Sequence, residues 1–396
     1  MCSITRFAAV SISFLAAGIL SAHAQQPAQP VQIDAVLPLT GFFSFIGKQE
    51  QAALQVGEQV INKAGGVRGR PISFSFYDDQ SNPQFSVQLT RQVMTKKPSI
   101  LLGTSVTASC NAMLPLLRTG PVTYCFSPGV YPQAGSYMYS ASVSTRDVQA
   151  ALLRYFRLRG WTRIAVITST DATGQDGEVG LDEAMKSPEN KDINLVERTR
   201  FNLNDVSVSA QIERMKAAKP QAIIVWTVGT SFATVLKGLI QGGVDLPIGT
   251  THGNMTFAQM RQYADFLPKE LYMPSSQWPQ ETAPGVQLKP EVVAAKKVFF
   301  DALKAGNVEA DLAPTLVWDP LMILVGALRT VGPDASAEQV LNHLKSVKNF
   351  SGINGPYDFE KFPQRGLGEQ STLVTRWRPE LKNWQIVSQP TGIPVQ

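Results

Sequence analysis

Short apolar segments alternate with amphipathic segments along the first part of the chain. Runs with strand-like alternation predict strands, and runs with apolar residues every three or four positions predict helices. The predicted strands cover residues 31–37, 71–77, 100–102 and 122–126, and the predicted helices cover 49–63, 83–94 and 108–118. Because strand and helix follow each other through short connections, the pattern predicts a parallel, doubly wound sheet.

The same alternation starts again after residue 147 and predicts a second α/β unit with its own sheet. Its strands are predicted at 163–167, 193–201, 222–226, from Ile248 and at 270–273, and its helices at 148–159, 177–186, 206–217 and 232–240. The C-terminal part predicts helices at 290–305, 320–330 and 338–347, followed by strands at 357–359, 373–377 and 384–387. No internal repeat of fixed period accompanies the two sheets.

A secretory signal peptide is predicted at the start of the chain. Arg6 precedes an apolar run over residues 7–20, and residues 21–24 (Ser-Ala-His-Ala) resemble a small-residue cleavage site. The run is too short and too rich in serine to serve as a membrane-spanning helix, and a buried N-terminal helix is the alternative. We therefore expect cleavage after Ala24, removal of residues 1–24, and export of the mature protein.

Composition excludes several classes of protein. Of the 396 residues, 44% are apolar and 9% are aromatic, which is too many for an intrinsically disordered chain. The formal net charge is +5 without a dense basic run, so nucleic-acid binding is not expected. After signal removal only His252 and His343 remain as histidines, and HExxH, GxSxG and P-loop motifs are missing. We therefore expect no enzyme, no metal site and no cofactor.

Two cysteines, Cys110 and Cys125, remain after signal removal. In an oxidising compartment such a pair favours a disulfide, and two buried free thiols are the alternative.

The loops that follow the predicted strands are rich in hydroxyl groups and glycine. Ligands of open parallel sheets bind beyond the carboxyl ends of the strands, so these loops are the candidate site. They cover residues 38–47, 103–109, 127–131, 168–174, 227–231 and 250–254, and Asp171 is almost their only charge. The hydroxyls and first-turn N–H groups of residues 104–109 are able to hold a carboxylate, or they are ordinary helix caps.

Three segments resemble type I periplasmic binding proteins. They are residues 34–41 (Asp-Ala-Val-Leu-Pro-Leu-Thr-Gly), 62–71 (Asn-Lys-Ala-Gly-Gly-Val-Arg-Gly-Arg-Pro) and 77–83 (Tyr-Asp-Asp-Gln-Ser-Asn-Pro). The chain is most similar to the leucine/isoleucine/valine-binding subfamily of ABC-importer receptors. This resemblance implies a monomeric periplasmic protein that captures a small solute and delivers it to a membrane permease.

The resemblance also implies two doubly wound α/β lobes, joined by three crossovers, that close on a ligand in the cleft between them. The first lobe would hold residues 31–145 and 275–356, and the second would hold residues 146–274 and 357–396.

The pocket implied by the resemblance departs from that of the amino-acid receptors. Thr107 falls on the hydroxyl that holds the ligand carboxylate, whereas Tyr131 and His252 replace the threonine and glutamate that hold the ammonium group. A buried ammonium without a carboxylate partner would cost several kcal/mol. We therefore expect a small carboxylate with an apolar, aromatic body and no ammonium group.

The residues expected to contact this ligand come from both lobes. They are Phe43, Ser44, Phe45, Ser105, Val106, Thr107, Ser127, Gly129, Tyr131, Thr173, Val228 and His252. Alternatives remain at several positions. The phenylalanines are core residues or an aromatic wall, His252 is a ligand contact, a structural residue or catalytic, and Asp171 is solvated or binds a phenolic hydroxyl. An amino-acid receptor with a rearranged pocket, and a sensor that docks a signalling partner, are the rival functions.

Overall fold

A computed structural model describes residues 1–2 and 29–395. The predicted signal peptide, residues 1–24, therefore lies outside the described residues except for Met1 and Cys2.

The first sheet consists of five parallel strands. They are β1 (Val31–Leu37), β2 (Ile72–Asp78), β3 (Ile100–Gly103), β4 (Val122–Cys125) and β5 (Met138–Ser140), connected in part by α1 (Ser44–Lys63), α2 (Pro83–Met94) and α3 (Thr107–Met113). Their spatial order is β2-β1-β3-β4-β5. The order reverses between β1 and β3, which makes the sheet doubly wound and brings the loops after these strands to one edge.

The second sheet repeats this plan. Its elements are α4 (Thr145–Leu158), β6 (Arg163–Ser169), α5 (Ala172–Met185), β7 (Asn194–Phe201), α6 (Ser209–Ala217), β8 (Ala222–Trp226), α7 (Thr230–Gln241), β9 (Ile248–Thr250), α8 (Phe257–Gln262) and β10 (Leu271–Ser275). The five strands are parallel in the order β10-β9-β8-β6-β7, with the reversal between β6 and β8.

The C-terminal part of the chain returns to each sheet in turn. It forms α9 (Pro290–Ala305), α10 (Leu312–Val331), α11 (Ala337–Lys345), β11 (Lys348–Ser351), β12 (Pro356–Asp358), β13 (Leu373–Arg378) and β14 (Asn383–Ile386). Helix α10 packs on α1, whereas β13 pairs antiparallel with β10 and extends the second sheet with β14. The chain thus passes between the sheets three times, and the predicted two-lobed α/β fold is confirmed.

Helix α10 is the most apolar long helix of the described part of the chain. By length and composition it is the one described helix that could cross a membrane, but 83% of its apolar window is buried inside the protein. At Gly57 of α1 an added Cβ would lie 2.6 Å from Leu321 Cδ2, so the two helices approach closely there. We conclude that α10 is a core helix of the first lobe.

Several element boundaries differ from the sequence prediction. Helix α10 begins at Leu312 rather than at Pro320, because Asp311 caps its start and the preceding turns are buried. Helices α1 and α5 begin five residues earlier than predicted, since α5 is capped by Asp171 and the first turn of α1 is fixed by packing. Strand β5 has only three residues, which is too short for its hydrophobic pattern to predict a strand.

Residues 357–366, which the resemblance places in the second lobe, contact elements of the first sheet. Phe359 packs against Tyr139 of β5 with ring centroids 5.3 Å apart, and Gln364 accepts a hydrogen bond from the backbone N–H of Ser140. Arg365 donates to carbonyl oxygens of the loop after β4. We therefore propose that residues 357–366 belong to the first lobe, and not to the second as the resemblance implied.

Candidate functional site

The candidate site is the cleft where the carboxyl ends of the two sheets face each other. It contains two adjoining hollows, an outer one with a cavity volume of about 130 Å³ and an inner one of about 50 Å³. Phe43, Ser105, Thr107, Thr173 and Val228 line both hollows. The outer hollow is further lined by Phe42, Ser81, Pro83, Val106, Ala108, Asp171, Ala172 and Leu203, and the inner one by Ile46, Phe126, Ser127, Pro128, Gly129, Thr145, Thr251, His252, Gly253, Leu312 and Leu316.

Nine of the twelve residues expected from the sequence line these hollows. They are Phe43, Ser105, Val106, Thr107, Ser127, Gly129, Thr173, Val228 and His252. The structure does not bring Ser44, Phe45 or Tyr131 to either hollow. Ser44 and Phe45 form the first turn of α1 and are half-buried beside the cleft, because helix geometry turns successive side chains by about 100° away from Phe43.

A pair of hydroxyl groups lies at the meeting point of two loops of the first lobe. Thr107 Oγ1 lies 2.7 Å from Ser127 Oγ, which in turn accepts a hydrogen bond from the N–H of Gly129 at 3.3 Å. Helix α3 begins at Thr107, and the preceding Val106 offers no side-chain cap to its first N–H groups. Hydroxyl and N–H donors are therefore concentrated at this wall of the cleft.

A disulfide joins the two elements that carry these donors. Cys110 of α3 and Cys125 at the end of β4 are bonded, with Cα atoms 6.1 Å apart. Both residues are buried, and each lies within three positions of Thr107 or Ser127 along the chain. The bond thus restrains the distance between the two hydroxyl-bearing loops.

His252 faces the inner hollow from the second lobe. It follows β9 in a tight turn, is 2% exposed, and neither ring nitrogen has a hydrogen-bond partner among the described residues. Burial lowers the pKa of His252 to about 4, and the positive charge of Arg365 acts in the same direction. The imidazole is therefore neutral at physiological pH and offers one donor and one acceptor.

Glu50 is an acid next to the cleft that sequence reasoning missed. It lies on α1 and is completely buried; one carboxyl oxygen is hydrogen-bonded to Ser105 Oγ, and Oε2 has no partner among the described residues. Burial raises the pKa of Glu50 to about 8, the Ser105 hydrogen bond opposes this shift, and the Asp79 carboxyl adds to it. The signal in the sequence was an acid on the apolar face of α1, four residues after Ile46.

Asp171 places a carboxyl group on the wall of the outer hollow. It caps α5 by accepting a hydrogen bond from the N–H of Gly174 at 3.2 Å, and it accepts another from Ser169 Oγ at 2.5 Å. Among the described residues that line the two hollows, Asp171 is the only acid, no lysine or arginine occurs, and the imidazole of His252 is neutral. The cleft wall therefore contains no lysine or arginine.

A comparison with family models identifies the chain. Residues 30–382 match the family model described as "Periplasmic binding protein". The chain belongs to the periplasmic binding protein family. Members of this family are solute-binding receptors that are typically periplasmic, and the fold described above is the one they share.

Two curated relatives are similar over part of their length. One is "Leu/Ile/Val-binding protein homolog 3" of Brucella melitensis biotype 1, which is 25% identical over 199 residues, 49% of this chain. The other is the "Leucine-, isoleucine-, valine-, threonine-, and alanine-binding protein" of Pseudomonas aeruginosa, 22% identical over 242 residues, 60% of this chain. The matched segments span 53% and 63% of the relatives' own lengths.

Solved structures of the same fold cover nearly the whole chain. A solute-binding protein of an ABC transporter from R. palustris, in complex with benzoate, superposes with a TM-score of 0.76 at 16% identity, over 92% of this chain and 97% of its own. The branched-chain amino acid transporter substrate-binding protein LivJ of Streptococcus pneumoniae, in complex with isoleucine, gives 0.75 at 17% identity, over 91% and 99%. These likenesses confirm the two-lobed fold.

Direct contacts join the two lobes of this periplasmic binding protein across the cleft. Tyr131, from the loop after β4, donates its hydroxyl to Asp176 Oδ2 on α5 at 3.2 Å. Its ring lies between two guanidinium groups, 4.0 Å from Arg146 and 5.4 Å from Arg365. Tyr131 therefore bridges the two lobes at the rim of the cleft and lines neither hollow.

Gly229 of the second lobe lies close to the backbone of Phe42 in the first lobe. Its φ is +70°, and an added Cβ would lie 2.8 Å from the carbonyl oxygen of Phe42. Only glycine combines this backbone conformation with such a short distance.

Trp278 lines a separate hollow outside the cleft. That hollow has a volume of about 430 Å³, is also lined by Trp384 and Phe257, and shares no lining residue with the two hollows of the cleft. Among residues 29–395 and 1–2, no group of three histidine, cysteine or acidic side chains is placed to hold a metal ion.

Proposed function

We propose that this protein is the periplasmic substrate-binding component of an ABC importer, and that it captures a small carboxylate, most simply an aromatic acid, by closing its lobes. The observation that carries the proposal is the chemistry of the cleft. Donor groups are concentrated on one wall, apolar side chains form much of the rest, and the neutral His252 lies at the inner hollow, at the position where the resemblance implies the acid of an amino-acid receptor.

The donor wall suits a ligand carboxylate. Thr107 and Ser127 share one hydrogen bond, so one hydroxyl proton of the pair remains free for a ligand oxygen. The uncapped start of α3 adds N–H groups and the positive end of a helix dipole. An anion held this way needs no lysine or arginine, and the described residues that line the cleft include neither.

The remaining walls suit an apolar body. Phe42 and Phe43, with ring centroids 6.0 Å apart, lie at the outer hollow, while Ile46, Val228 and Leu316 line one or both hollows. The volumes of about 130 and 50 Å³ lie below the roughly 300–1,000 Å³ of sites for drug-sized ligands. A compact ring that carries one carboxyl group fits both the size and the polarity.

The similar structures support the proposal without deciding the ligand. One neighbour binds benzoate, whereas another binds isoleucine and the curated relatives are named for branched-chain amino acids. An amino-acid receptor is therefore the second candidate, and the Asp171 carboxyl on the outer wall favours it, because it could accept a hydrogen bond from an ammonium group. A sensor of the same fold would bind its ligand in the same cleft.

A ligand panel followed by thermal unfolding tests the proposal. We expect benzoate, phenylacetate and an arylpropenoate to raise the melting temperature, because binding at a hundredfold excess over Kd stabilises the folded state by about 2.7 kcal/mol. Leucine, isoleucine and valine should give no shift. A strong shift with leucine and none with the aryl acids would refute the proposal.

Two variants make this test specific to the cleft. Thr107→Ala should weaken the binding of aryl acids while the ligand-free protein unfolds as before, because it removes one donor of the hydroxyl pair. Asp171→Asn is the matched control, since it should leave aryl-acid binding intact but abolish the binding of an amino acid. Equal affinity of the Thr107→Ala variant and the wild type would remove Thr107 from the site.

The periplasmic location, the permease and the monomeric state are part of the same proposal. We expect N-terminal sequencing of the exported protein to start at Gln25, and sedimentation to give a single chain with and without ligand. Retention of residues 1–24 in the exported protein would contradict the predicted cleavage.

A further inference from the structure

Glu50 lies directly behind a residue that lines both hollows of the cleft. Its carboxyl group bonds to Ser105 Oγ, and Ser105 belongs to the loop between β3 and α3 that carries the donor wall. Glu50 is fully buried on α1, one turn after Ile46, which lines the inner hollow. Among the described residues, no lysine or arginine forms an ion pair with Glu50.

The protonation state of Glu50 decides how the Ser105 hydroxyl is oriented. A neutral carboxyl group donates its O–H to Ser105 Oγ, which leaves the single hydroxyl proton of Ser105 for another acceptor. An ionised carboxylate can only accept, so the Ser105 hydroxyl donates its hydrogen bond to Glu50 and presents only oxygen lone pairs to a ligand. The ionised form also places a negative charge one hydrogen bond away from the cleft.

We propose that Glu50 is a specificity-determining residue. As a neutral acid it directs the hydroxyl proton of Ser105 to a ligand carboxylate, and as a carboxylate it weakens the binding of anions in the cleft. The proposal rests on the proposed function, because it assumes that the ligand carries a carboxylate. Glu50 acts through Ser105 and is therefore a positioning residue.

The surroundings of Glu50 favour the neutral form. Asp79, which follows β2, is the one charged group among the described residues that acts on its pKa, and it raises it. The Asp79 carboxyl itself accepts hydrogen bonds from Ser86 Oγ and from the N–H of Ser81. Across the cleft, His252 is neutral, and the positive charge of Arg365, which acts on His252, does not act on the pKa of Glu50.

Three other buried charged groups on elements that pack against α1 are engaged elsewhere. Asp34 of β1 is paired with Lys96 at 2.7 Å. Asp319 of α10 accepts hydrogen bonds from the backbone of Ile353 and from the Tyr357 hydroxyl. Lys296 of α9 donates to backbone carbonyl oxygens. None of these groups acts on the pKa of Glu50.

The sign of the pH dependence follows from these groups. The pKa of Glu50 is raised to about 8, so an anion that requires the neutral acid binds with constant affinity well below pH 8 and loses up to about tenfold in affinity per pH unit above it. At pH 9.5 the loss should be about thirtyfold. His252, with a pKa of about 4, does not titrate in this window.

The experiment measures the Kd of benzoate by calorimetry from pH 6 to pH 9.5 for the wild type, Glu50→Gln and Asp79→Asn. The wild type should show the thirtyfold loss. Glu50→Gln should bind at every pH like the wild type at pH 6, because its amide donates to Ser105 Oγ as the neutral acid does. Asp79→Asn should keep the loss but shift its midpoint to lower pH, because removal of the Asp79 charge lowers the pKa of Glu50.

The outcomes separate this inference from the proposed function. If the wild type binds no aryl acid at pH 6, the proposed function is refuted. If it binds with a Kd that does not change up to pH 9.5, or if Glu50→Gln shows the same loss, the inference fails while the proposed function stands.

A further measurement needs no ligand and does not depend on the folding of a variant. The carboxyl carbon of Glu50, followed by NMR in the labelled wild type, should titrate near pH 8, and a midpoint below pH 6 overturns the inference whichever ligand binds.

Discussion

Replacing Tyr131 by phenylalanine removes one hydrogen bond between the lobes and little else. The Tyr131 hydroxyl lies 3.2 Å from Asp176 Oδ2, and the Arg146 Nε lies 3.4 Å from the other oxygen of that carboxylate. The phenylalanine ring keeps the position between Arg146 and Arg365. Because Arg146 and Asp176 both belong to the second lobe, the lost hydrogen bond is a contact of the closed form.

The magnitude follows from the partners and their exposure. A hydrogen bond to a charged group contributes about 1.5–3 kcal/mol. Tyr131 is 40% exposed, and Arg146 continues to neutralise Asp176 in the variant, so we expect less than this range, about 1 kcal/mol. A loss of 1 kcal/mol from the closed form raises the Kd of the ligand about fivefold. Tyr131→Leu also removes the ring between the two guanidinium groups and should cost about tenfold more.

The assay is calorimetric titration with the tightest ligand of the panel, together with small-angle scattering of the ligand-free and ligand-bound states. Tyr137→Phe is the matched control. Tyr137 lies in the same loop, and its hydroxyl bonds to none of the described residues of the second lobe. The control Tyr137→Phe should bind the ligand with the Kd of the wild type. The reasoning is refuted if Tyr131→Phe also binds with that Kd. It is also refuted if Tyr131→Phe lowers the melting temperature of the ligand-free, open protein as much as that of the complex.

Three further predictions concern buried groups near the cleft. The folded-state pKa of Glu50 is raised from 4.5 to about 8, so its contribution to stability is lost as the pH rises. In urea titrations, the free energy of unfolding of the wild type, relative to that of Glu50→Gln, should fall by about 2.5 kcal/mol between pH 5 and pH 7. An equal pH dependence of the two proteins would contradict this. Arg365 is buried and donates to the carbonyl oxygens of Pro128 and Val130. Arg365→Met leaves both acceptors without this donor and should cost about 2–6 kcal/mol in the same assay, at about 1–3 kcal/mol for each acceptor. A loss under about 1 kcal/mol would exclude this role. The disulfide between Cys110 and Cys125 closes a loop of 15 residues, so its reduction should destabilise the protein by about 3 kcal/mol. Reduction should also add two hydrogens to the intact mass. An unchanged mass would mean that the two cysteines are free thiols.

The amino-acid sequence by itself determined the fold and the broad location of the site. The alternation of strands and helices is local information, since hydrophobic periodicity reflects which face of each element is buried. The rule that ligands bind beyond the carboxyl ends of parallel strands then identified the loops around Thr107, Ser127 and Val228, which the structure brings to one cleft. The family followed from three short segments and is confirmed over residues 30–382.

Only the tertiary structure decided which side chains reach the cleft and how they are charged. Tyr131 belongs to a loop that reaches the cleft, yet contacts with Arg146 of α4 and Asp176 of α5 in the other lobe hold its side chain at the rim. Glu50 is one acid among many along the chain, and it becomes distinctive only because α1 buries it against Ser105 and near Asp79. Burial and long-range contacts set the pKa of a side chain, and both depend on residues far apart in the sequence. For the same reason the helix start at Leu312 and the last crossing near residue 366 emerged only from packing.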